Sequence, residues 1–268
     1  MSNCILQSPK NVMEVANLEQ QAMKIDILGI GLDNLTMDEA VGRINALREE
    51  NCGGYVITPN PEILYHSQTK PDLAELINGA KLVVTDGVGV VIAAKKLGRP
   101  LKSRVPGVEL GEAILPDAAK RGDRLYIYGA KPGVAEQAGK RLAEKYPGLV
   151  ICGTADGYGK DDDALCTKIA EAKPDLMFVC LGTPAQEYWM AAHTAQFPNC
   201  LMFGLGGSVD IYSGMVTRAP KFWRTLNMEW FYRLACQPKR IGRFLKSVPP
   251  FFRAVHRQKR AEKKAARK

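Results

Sequence analysis

The 268-residue sequence lacks several features that would place it in a common class. No apolar run approaches the roughly 20 residues that a membrane-spanning helix needs. The polar N-terminus has no signal-peptide core, so we expect neither a spanning segment nor export. The seven cysteines are scattered and include no C-x-x-C pair. This pattern is typical of reduced, mostly buried thiols in a cytosolic protein, and it predicts neither a disulfide framework nor a zinc site.

Cofactor and metal motifs are also scarce. There is no Walker A motif, and the glycines of Gly29–Asn34 lack the third glycine of a dinucleotide fingerprint. The three histidines, His66, His193 and His256, are far apart. The acidic run Asp161–Asp163 precedes a predicted helix, which favours a charge–dipole role over a metal site. We therefore predict no cofactor and no catalytic metal.

Charge is distributed unevenly along the chain. Residues 217–268 hold 16 Lys and Arg against two acidic residues, whereas residues 1–216 hold 21 Lys and Arg against 26 acidic residues. The formal net charge of +9 therefore hides a mildly acidic body and a strongly basic C-terminal segment. Such asymmetry indicates an anionic partner for that segment, either nucleic acid or a membrane surface.

Aromatic residues favour the membrane over nucleic acid. The stretch 222–234 reads as an aromatic helix, and basic residues then alternate with Phe244 and Leu245. We expect Pro249-Pro250 to break the chain before Phe251-Phe252 and a final basic run, whose plainer interpretation is a solvated tail. Bulky apolar groups interleaved with cations are typical of a segment lying in a membrane interface.

The rest of the chain alternates between strand-like and helix-like segments. Strands are predicted at residues 25–30, 55–58, 82–85, 125–128, 150–153, 176–181 and 201–203. Helical periodicity or capping signals separate most of them, including a capping box at Thr36–Glu39. This order predicts an α/β fold, a Rossmann-like and mainly parallel sheet with flanking helices. We expect a loose leader at 1–23, the sheet domain at 24–216, and a helical basic and aromatic appendage at 217–268.

One stretch carries the strongest hint of chemistry. Leu82–Thr85 reads as a buried strand, followed by Asp86, Gly87 and Gly89 and then a helix closed by Gly98. Ligands of open α/β sheets bind beyond the carboxyl ends of strands, and the glycines would let a ligand approach closely. The alternative is that Asp86 only caps the following helix.

Other polar groups are predicted at the same edge of the sheet. They follow the strands at Thr58 and Asn60, Gly129, Gly182 to Gln186, and Gly206 to Asp210. Arg104 and the C-terminal arginines supply positive charge. A carboxylate among glycine turns and arginines suits a nucleotide-activated substrate, since arginines hold a diphosphate and the carboxylate can take a proton from an attacking hydroxyl.

An ordered set of short motifs resembles a known family, the WecG/TagA/CpsF family of bacterial glycosyltransferases. The motifs run through residues 25–245 in the family's order and are Thr58-Pro59-Asn60-Pro61-Glu62, Thr85-Asp86-Gly87, Arg104-Val105-Pro106-Gly107, Gly182-Thr183-Pro184-Ala185-Gln186-Glu187, Gly204-Leu205-Gly206-Gly207, Arg218-Ala219-Pro220, Glu229-Trp230 with Arg233-Leu234, and Pro238 with Arg240 and Arg243. Four residues depart from those usual in the family: Asn227, Met228, Phe244 and Glu109.

The resemblance implies an inverting, metal-independent hexosyltransferase. It would move N-acetylmannosamine or a related sugar from a UDP-sugar to undecaprenyl-diphosphate-linked N-acetylglucosamine, in cell-surface polysaccharide synthesis of the wall teichoic acid type. The implied location is the cytoplasmic face of the cell membrane, held peripherally through residues 217–268. A homo-oligomer is possible within the family, and no nucleic acid partner is implied. The rival interpretations are a basic-tailed nucleic-acid-binding protein and a Rossmann oxidoreductase.

The resemblance also implies roles for individual residues. Asp86 would be the general base, with Thr58 and Asn60 orienting the substrate. Residues that would bind substrate or nucleotide are Arg104, Gly182, Gln186, Gly207, Asp210, Arg233, Arg240 and Arg243. The last three would come from the appendage and neutralise the departing UDP, a task for which guanidinium groups are suited.

Overall fold

The core of the protein is a six-stranded parallel sheet. A computed structural model describes residues 24–159, 161–226, 228–236 and 239–267. The strands are β1 (Lys24–Ile27), β2 (Ile30–Asp33), β3 (Gly54–Ile57), β4 (Leu82–Val83), β5 (Arg124–Gly129), β6 (Val150–Ala155), β7 (Leu176–Cys180) and β8 (Leu201–Gly204). In the sheet they are ordered β4-β3-β8-β7-β5-β6, with every neighbouring pair parallel. The predicted α/β class is therefore confirmed.

Helices cover both faces of this sheet. They are α1 (Met37–Glu49), α2 (Pro61–His66), α3 (Pro71–Asn78), α4 (Val88–Leu97), α5 (Gly107–Ala113), α6 (Leu115–Arg121), α7 (Val134–Lys145), α8 (Asp162–Ala172), α9 (Ala185–His193), α10 (Ser208–Tyr212), α11 (Lys221–Thr225), α12 (Glu229–Cys236) and α13 (Lys239–Ala265). Two buried apolar clusters result, because alternate strand residues point to opposite faces: Tyr55 and Ile57 join one, and Val56 joins the other. No helix within the described ranges combines the length and apolarity needed to cross a bilayer.

The chain leaves β3 and β8 toward opposite faces of the sheet. The chain leaving β3 enters α2 and α3, whose Ile63 and Leu73 pack in the first apolar cluster. The chain leaving β8 enters α10, whose Val209 and Tyr212 pack in the second cluster on the opposite face. Loops that diverge in this way leave a crevice at the carboxyl ends of the two strands. The sheet topology therefore predicts a binding site beyond Ile57 and Gly204.

The first predicted strand, residues 25–30, is wrong in extent. Residues 25–30 do not form one strand, because Leu28 and Gly29 both adopt positive φ and turn the chain back on itself. The result is a separate antiparallel hairpin of β1 and β2. Gly29 and Gly31 therefore lie in a hairpin, not at a strand-to-helix turn, which removes the structural basis for a dinucleotide fingerprint there.

Local capping signals are confirmed. Thr36 accepts a hydrogen bond from the Glu39 amide, and the Glu39 carboxylate accepts one from the Thr36 amide, completing the capping box of α1. Gly98 ends α4 in the left-handed conformation. The sequence also predicts a helix near residues 108–121 with a break or kink at Pro116, and the structure has two helices there, which meet at Ile114, with Pro116 in the first turn of α6.

The expected break at Pro249-Pro250 is wrong. Both prolines lie inside α13, although each removes a backbone donor and costs about 3 kcal/mol in a helix interior. Packing offsets this penalty, because Phe251 and Val255 are 0% and 1% exposed in the apolar cluster that also contains residues of α2 and α4. Polar contacts hold the far end of the helix: the Gln258 side chain accepts from the Leu28 amide and donates to Asp26.

Phe251 offers a test of this packing. We predict that Phe251→Ala lowers the free energy of unfolding by about 3–5 kcal/mol, because it removes a fully buried aromatic side chain. The matched control, Phe222→Ala, removes a side chain that is 67% exposed and should change stability by less than about 0.5 kcal/mol. Denaturant unfolding measures both values. Equal small effects would mean that α13 does not pack on the sheet domain in solution.

Candidate active site

A cavity of about 520 Å³ opens at the crevice between β3 and β8. Its volume lies within the range of about 300–1,000 Å³ that small-molecule sites occupy. Its walls come from the loops that follow β3, β4, β7 and β8, and from α12 and α13. The cavity therefore combines the edge of the sheet with the C-terminal helices.

Most of the predicted site residues line this cavity. They are Thr58, Asn60, Asp86, Arg104, Gly182, Gln186, Gly207 and Arg243. Asp210 is not among the lining residues, although it lies in α10, whose first residue, Ser208, is. The side chains of Arg233 and Arg240 lie outside the described residues. The roles assigned to all eleven residues stay predictions.

Asp86 is half-buried in the cavity wall. Its amide donates to the Pro59 carbonyl, which ties the turn after β4 to the turn after β3. The N-cap of α4 is Gly87, so the interpretation of Asp86 as the cap residue is wrong. Asp86 instead lines the cavity together with other polar residues.

Gly87 and Gly89 line the cavity, as the predicted ligand approach requires, and they also allow two turns to pack closely. A Cβ atom at either position would lie 2.6 Å from the ring of Pro61, closer than real Cβ contacts allow. The missing side chains therefore let the turn before α4 pack against the turn before α2. This close packing fixes Asp86 relative to Asn60.

Thr58 and Asn60 both have structural partners. The Thr58 hydroxyl donates to the Gly204 carbonyl at 3.3 Å, which bridges the ends of β3 and β8. Asn60 Oδ1 accepts from the amides of Glu62 and Ile63 and so caps α2. With Oδ1 occupied, the group that Asn60 can offer to a ligand is its Nδ2 donor.

Gln186 connects two loops of the cavity. Its Oε1 accepts from the amide of Gly206 at 2.9 Å and from that of Gly182 at 3.2 Å. Its Nε2 donates to Glu187 Oε1 at 2.9 Å. A Cβ at Gly204 would lie 2.9 Å from Gln186 Nε2, so glycine is needed there. The loops after β7 and β8 are therefore held by one buried amide.

Part of the cavity lining, here called the apolar wall, is made of apolar side chains. It consists of Ile92, Trp230, Leu234, Phe244, Val248 and Phe252. Trp230 and Phe244 stack with parallel rings whose centroids are 5.3 Å apart. Sequence reasoning assigned the aromatics to a membrane surface and missed their part in the cavity. The acidic residues Glu62 and Glu229 also line the cavity. They belong to the family motifs, but the sequence did not predict them as site residues.

Two described cations line the cavity, Arg104 from the loop before α5 and Arg243 from α13. A third, Arg218, is engaged elsewhere, since it forms an ion pair with Glu109 of α5. This pair joins the segment after α10 to the helix that follows Arg104. Arg104 and Arg243 are therefore the described arginines placed to meet an anionic ligand.

One group of three potential metal ligands occurs among the described residues, and it lies outside the cavity lining. Asp162, Cys166 and His193 place one ligand atom each within 4.8 Å of the others. The neighbouring Asp161 caps α8 by accepting from the Ala164 amide at 2.8 Å, as its predicted helix-terminal position implies.

Comparison with known proteins decides the family. The model of the Glycosyl transferase WecG/TagA/CpsF family matches residues 25–265, nearly the whole described chain. The chain belongs to the WecG/TagA/CpsF family of glycosyl transferases.

Curated members of the family are similar over most of their length. An N-acetylglucosaminyldiphosphoundecaprenol N-acetyl-beta-D-mannosaminyltransferase of Bacillus spizizenii is 38% identical over 216 residues, which are 81% of this chain and 84% of that protein. The protein with the same name from Staphylococcus aureus strain NCTC 8325 is 38% identical over 244 residues, 90% of this chain and 96% of its own length. Family membership favours a transferase over the nucleic-acid-binding and oxidoreductase alternatives.

Within this WecG/TagA/CpsF protein, the carboxyl group of Glu187 is buried next to the cavity-lining residue Gln186. It is 2% exposed, and burial raises the pKa of its carboxyl group to about 7. Hydrogen bonds from Gln186 and Thr183 lower the pKa and offset burial only in part. Oε2 has no hydrogen-bond partner in the part of the chain that the structure describes.

This carboxyl group should make stability depend on pH. Burial raises the pKa of Glu187 in the folded state. Its contribution to the free energy of unfolding is therefore fully present below about pH 4.5 and is lost as the pH rises through about 7. The loss amounts to roughly 3 kcal/mol. We predict that Glu187→Gln removes this decrease of the unfolding free energy with rising pH, measured between pH 5 and 8. The exposed-site control Glu75→Gln should keep it. An unchanged slope in Glu187→Gln would contradict the assignment.

Proposed function

We propose that the protein transfers N-acetylmannosamine, or a closely related sugar, from a UDP-sugar to undecaprenyl-diphosphate-linked N-acetylglucosamine. The proposal is supported chiefly by the position of Asp86, a carboxylate in the wall of a cavity that also contains arginines and an apolar wall. The names of the two relatives, each 38% identical, supply the substrate class. The pathway we propose is synthesis of a wall teichoic acid-like surface polysaccharide.

In the proposed reaction the acceptor hydroxyl attacks the anomeric carbon of the donor sugar. The new bond joins the acceptor oxygen to that carbon, the bond from the carbon to the phosphate oxygen breaks, and UDP leaves with the electron pair. Asp86 takes the proton of the hydroxyl as the general base. A single displacement of this kind inverts the anomeric configuration.

The departing UDP gains negative charge as the bond breaks, so cations near the diphosphate stabilise the transition state. Arg104 and Arg243 line the cavity and are suited to this role. We also assign Arg233 and Arg240 to it and Asp210 to the nucleotide, on the basis of their motif positions. Because guanidinium groups stay charged, this arrangement supplies charge stabilisation without a metal ion.

The C-terminal helices suit an acceptor that is embedded in lipid. Their exposed apolar side chains are Phe222, Leu226, Trp230, Phe231, Ile241 and Leu245, at 41–67% exposure. Lys221 and Lys246 are exposed nearby in the sequence. Trp230 belongs both to this apolar surface and to the cavity wall. We therefore propose that residues 217–246 dock peripherally on the cytoplasmic face of the membrane and receive the acceptor there.

The base assignment predicts the effect of Asp86→Asn. Removal of a general base should lower kcat by about 10²–10⁴ with little change in the KM for the UDP-sugar, because the lost interaction acts in the transition state. Steady-state transfer to a short-chain lipid-diphosphate-GlcNAc acceptor, without added metal, measures both constants. The exposed Asp38→Asn is the matched control. A folded Asp86→Asn enzyme with wild-type kcat would remove Asp86 from this role.

The docking assignment predicts a separation of membrane binding from chemistry. The triple variant Phe222→Ser, Leu226→Ser, Phe231→Ser should bind anionic vesicles at least about 100-fold more weakly, since each buried apolar side chain contributes about 1.5–3 kcal/mol. It should keep turnover on a soluble short-chain acceptor and lose it on a vesicle-embedded one. The control is Tyr158→Ser, Met215→Ser, which changes side chains that are 66% and 71% exposed outside these helices. Equal vesicle binding by both variants would contradict the proposal.

A further inference from the structure

Three side chains of different chemistry meet away from the cavity. Asp162 and Cys166 lie one turn apart on α8, and His193 is the last residue of α9. A carboxylate oxygen, a thiol sulfur and an imidazole nitrogen all lie within 4.8 Å of one another. None of the three belongs to the cavity lining, so the group is separate from the proposed active site.

The tautomer of His193 is fixed by its surroundings. Nδ1 lies 2.8 Å from the Trp189 carbonyl oxygen, and because a carbonyl only accepts, Nδ1 must carry a proton. In neutral imidazole Nε2 then has a lone pair, which faces Asp162 Oδ2 at 3.0 Å. Two acceptors at this distance repel each other unless a proton or a metal cation lies between them.

The carboxylate is also oriented by its neighbours. Trp189 Nε1 donates to Asp162 Oδ1 at 2.8 Å, which leaves Oδ2 directed at His193. Trp189 therefore holds both ligands, through its carbonyl on one side and its indole nitrogen on the other. Metal-binding histidines and carboxylates are ordinarily oriented by such outer contacts.

We propose that Asp162, Cys166 and His193 bind a zinc ion. A thiolate, an imidazole and a carboxylate are the ligands that zinc takes in proteins, with water at the fourth position. The Asp162 side chain is 51% exposed, which leaves room for that water. Binding displaces the thiol proton of Cys166 to solvent. A proton alone would satisfy His193 and Asp162 but would not involve the buried thiol, and this difference separates zinc binding from a simple ion pair.

The ion would join the start of α8 to the end of α9. The first turn of α9 carries Gln186, whose amide holds the two cavity loops. The zinc site is therefore structural, and it fixes the far end of the helix on which the cavity depends. Catalysis does not pass through it.

The test is zinc binding by the full-length, untagged and chelator-treated protein. Titration at pH 7.5 against a chromophoric chelator should reveal one equivalent of Zn²⁺. Addition of Co²⁺ should give the near-ultraviolet band of a cobalt–thiolate bond. We expect Cys166→Ser and His193→Gln to weaken binding by at least about 100-fold, since loss of an outer contact alone costs about 10–100-fold. Trp189→Phe removes the hydrogen bond from the indole nitrogen to Asp162, so its zinc affinity should fall by only about 10–100-fold.

The matched controls are Cys152→Ser and His66→Gln, which remove a thiol and an imidazole from outside the group. Both should bind zinc like the wild type, and far-ultraviolet circular dichroism checks that every variant is folded. Absence of a stoichiometric zinc ion in the wild type would overturn the proposal. So would a cobalt spectrum without the thiolate band, or equal affinity in Cys166→Ser and Cys152→Ser; the group would then be a protonated His193–Asp162 ion pair.

Discussion

The side-chain amide of Gln186 holds together the place where the sheet ends and the cavity begins. The loops after β7 and β8 turn through Gly182 and Gly206, both with positive φ, and each presents a backbone amide that needs an acceptor. One oxygen, Gln186 Oε1, serves both amides. Glu187 accepts from Gln186 Nε2 and thereby fixes which end of the amide faces the loops. A ligand in the cavity therefore meets a wall whose polar groups are already ordered, which lowers the entropy lost on binding.

Local signals in the sequence predicted much of the sheet domain. The capping box at Thr36, the glycine that ends α4 and the alternation of strands with helices depend on neighbours within a few residues, so they can be recognised without the fold. The order of strands in the sheet depends on long-range packing. Only that order brings the turns at Thr58, Asp86 and Gln186 to one crevice. Eight of the eleven predicted site residues line this crevice, whereas Asp210 does not, and the apolar wall was not predicted.

The errors arose where a long-range contact overrides a local preference. Two prolines in succession predict a helix break, yet burial of Phe251 and Val255 keeps α13 continuous. A signal was present, because Phe251, Val255, Gln258 and Glu262 recur at helical spacing and all contact the sheet domain. His193 could not be connected with Asp162 from the sequence, because the 3.0 Å approach of their side chains depends on how α8 and α9 pack.

Packing of α13 has a consequence for the proposed chemistry. Asp86 and Arg104 come from the sheet domain, whereas Arg243 and Phe244 come from the first half of α13. The middle of this helix is anchored in the apolar core by Phe251 and Val255. Because α13 stays one continuous helix through Pro249 and Pro250, this anchor sets the position of the arginine and of the apolar wall relative to the carboxylate. The cavity is therefore complete only when α13 is packed, since the side chains that line it near the start of the helix depend on side chains buried near its middle.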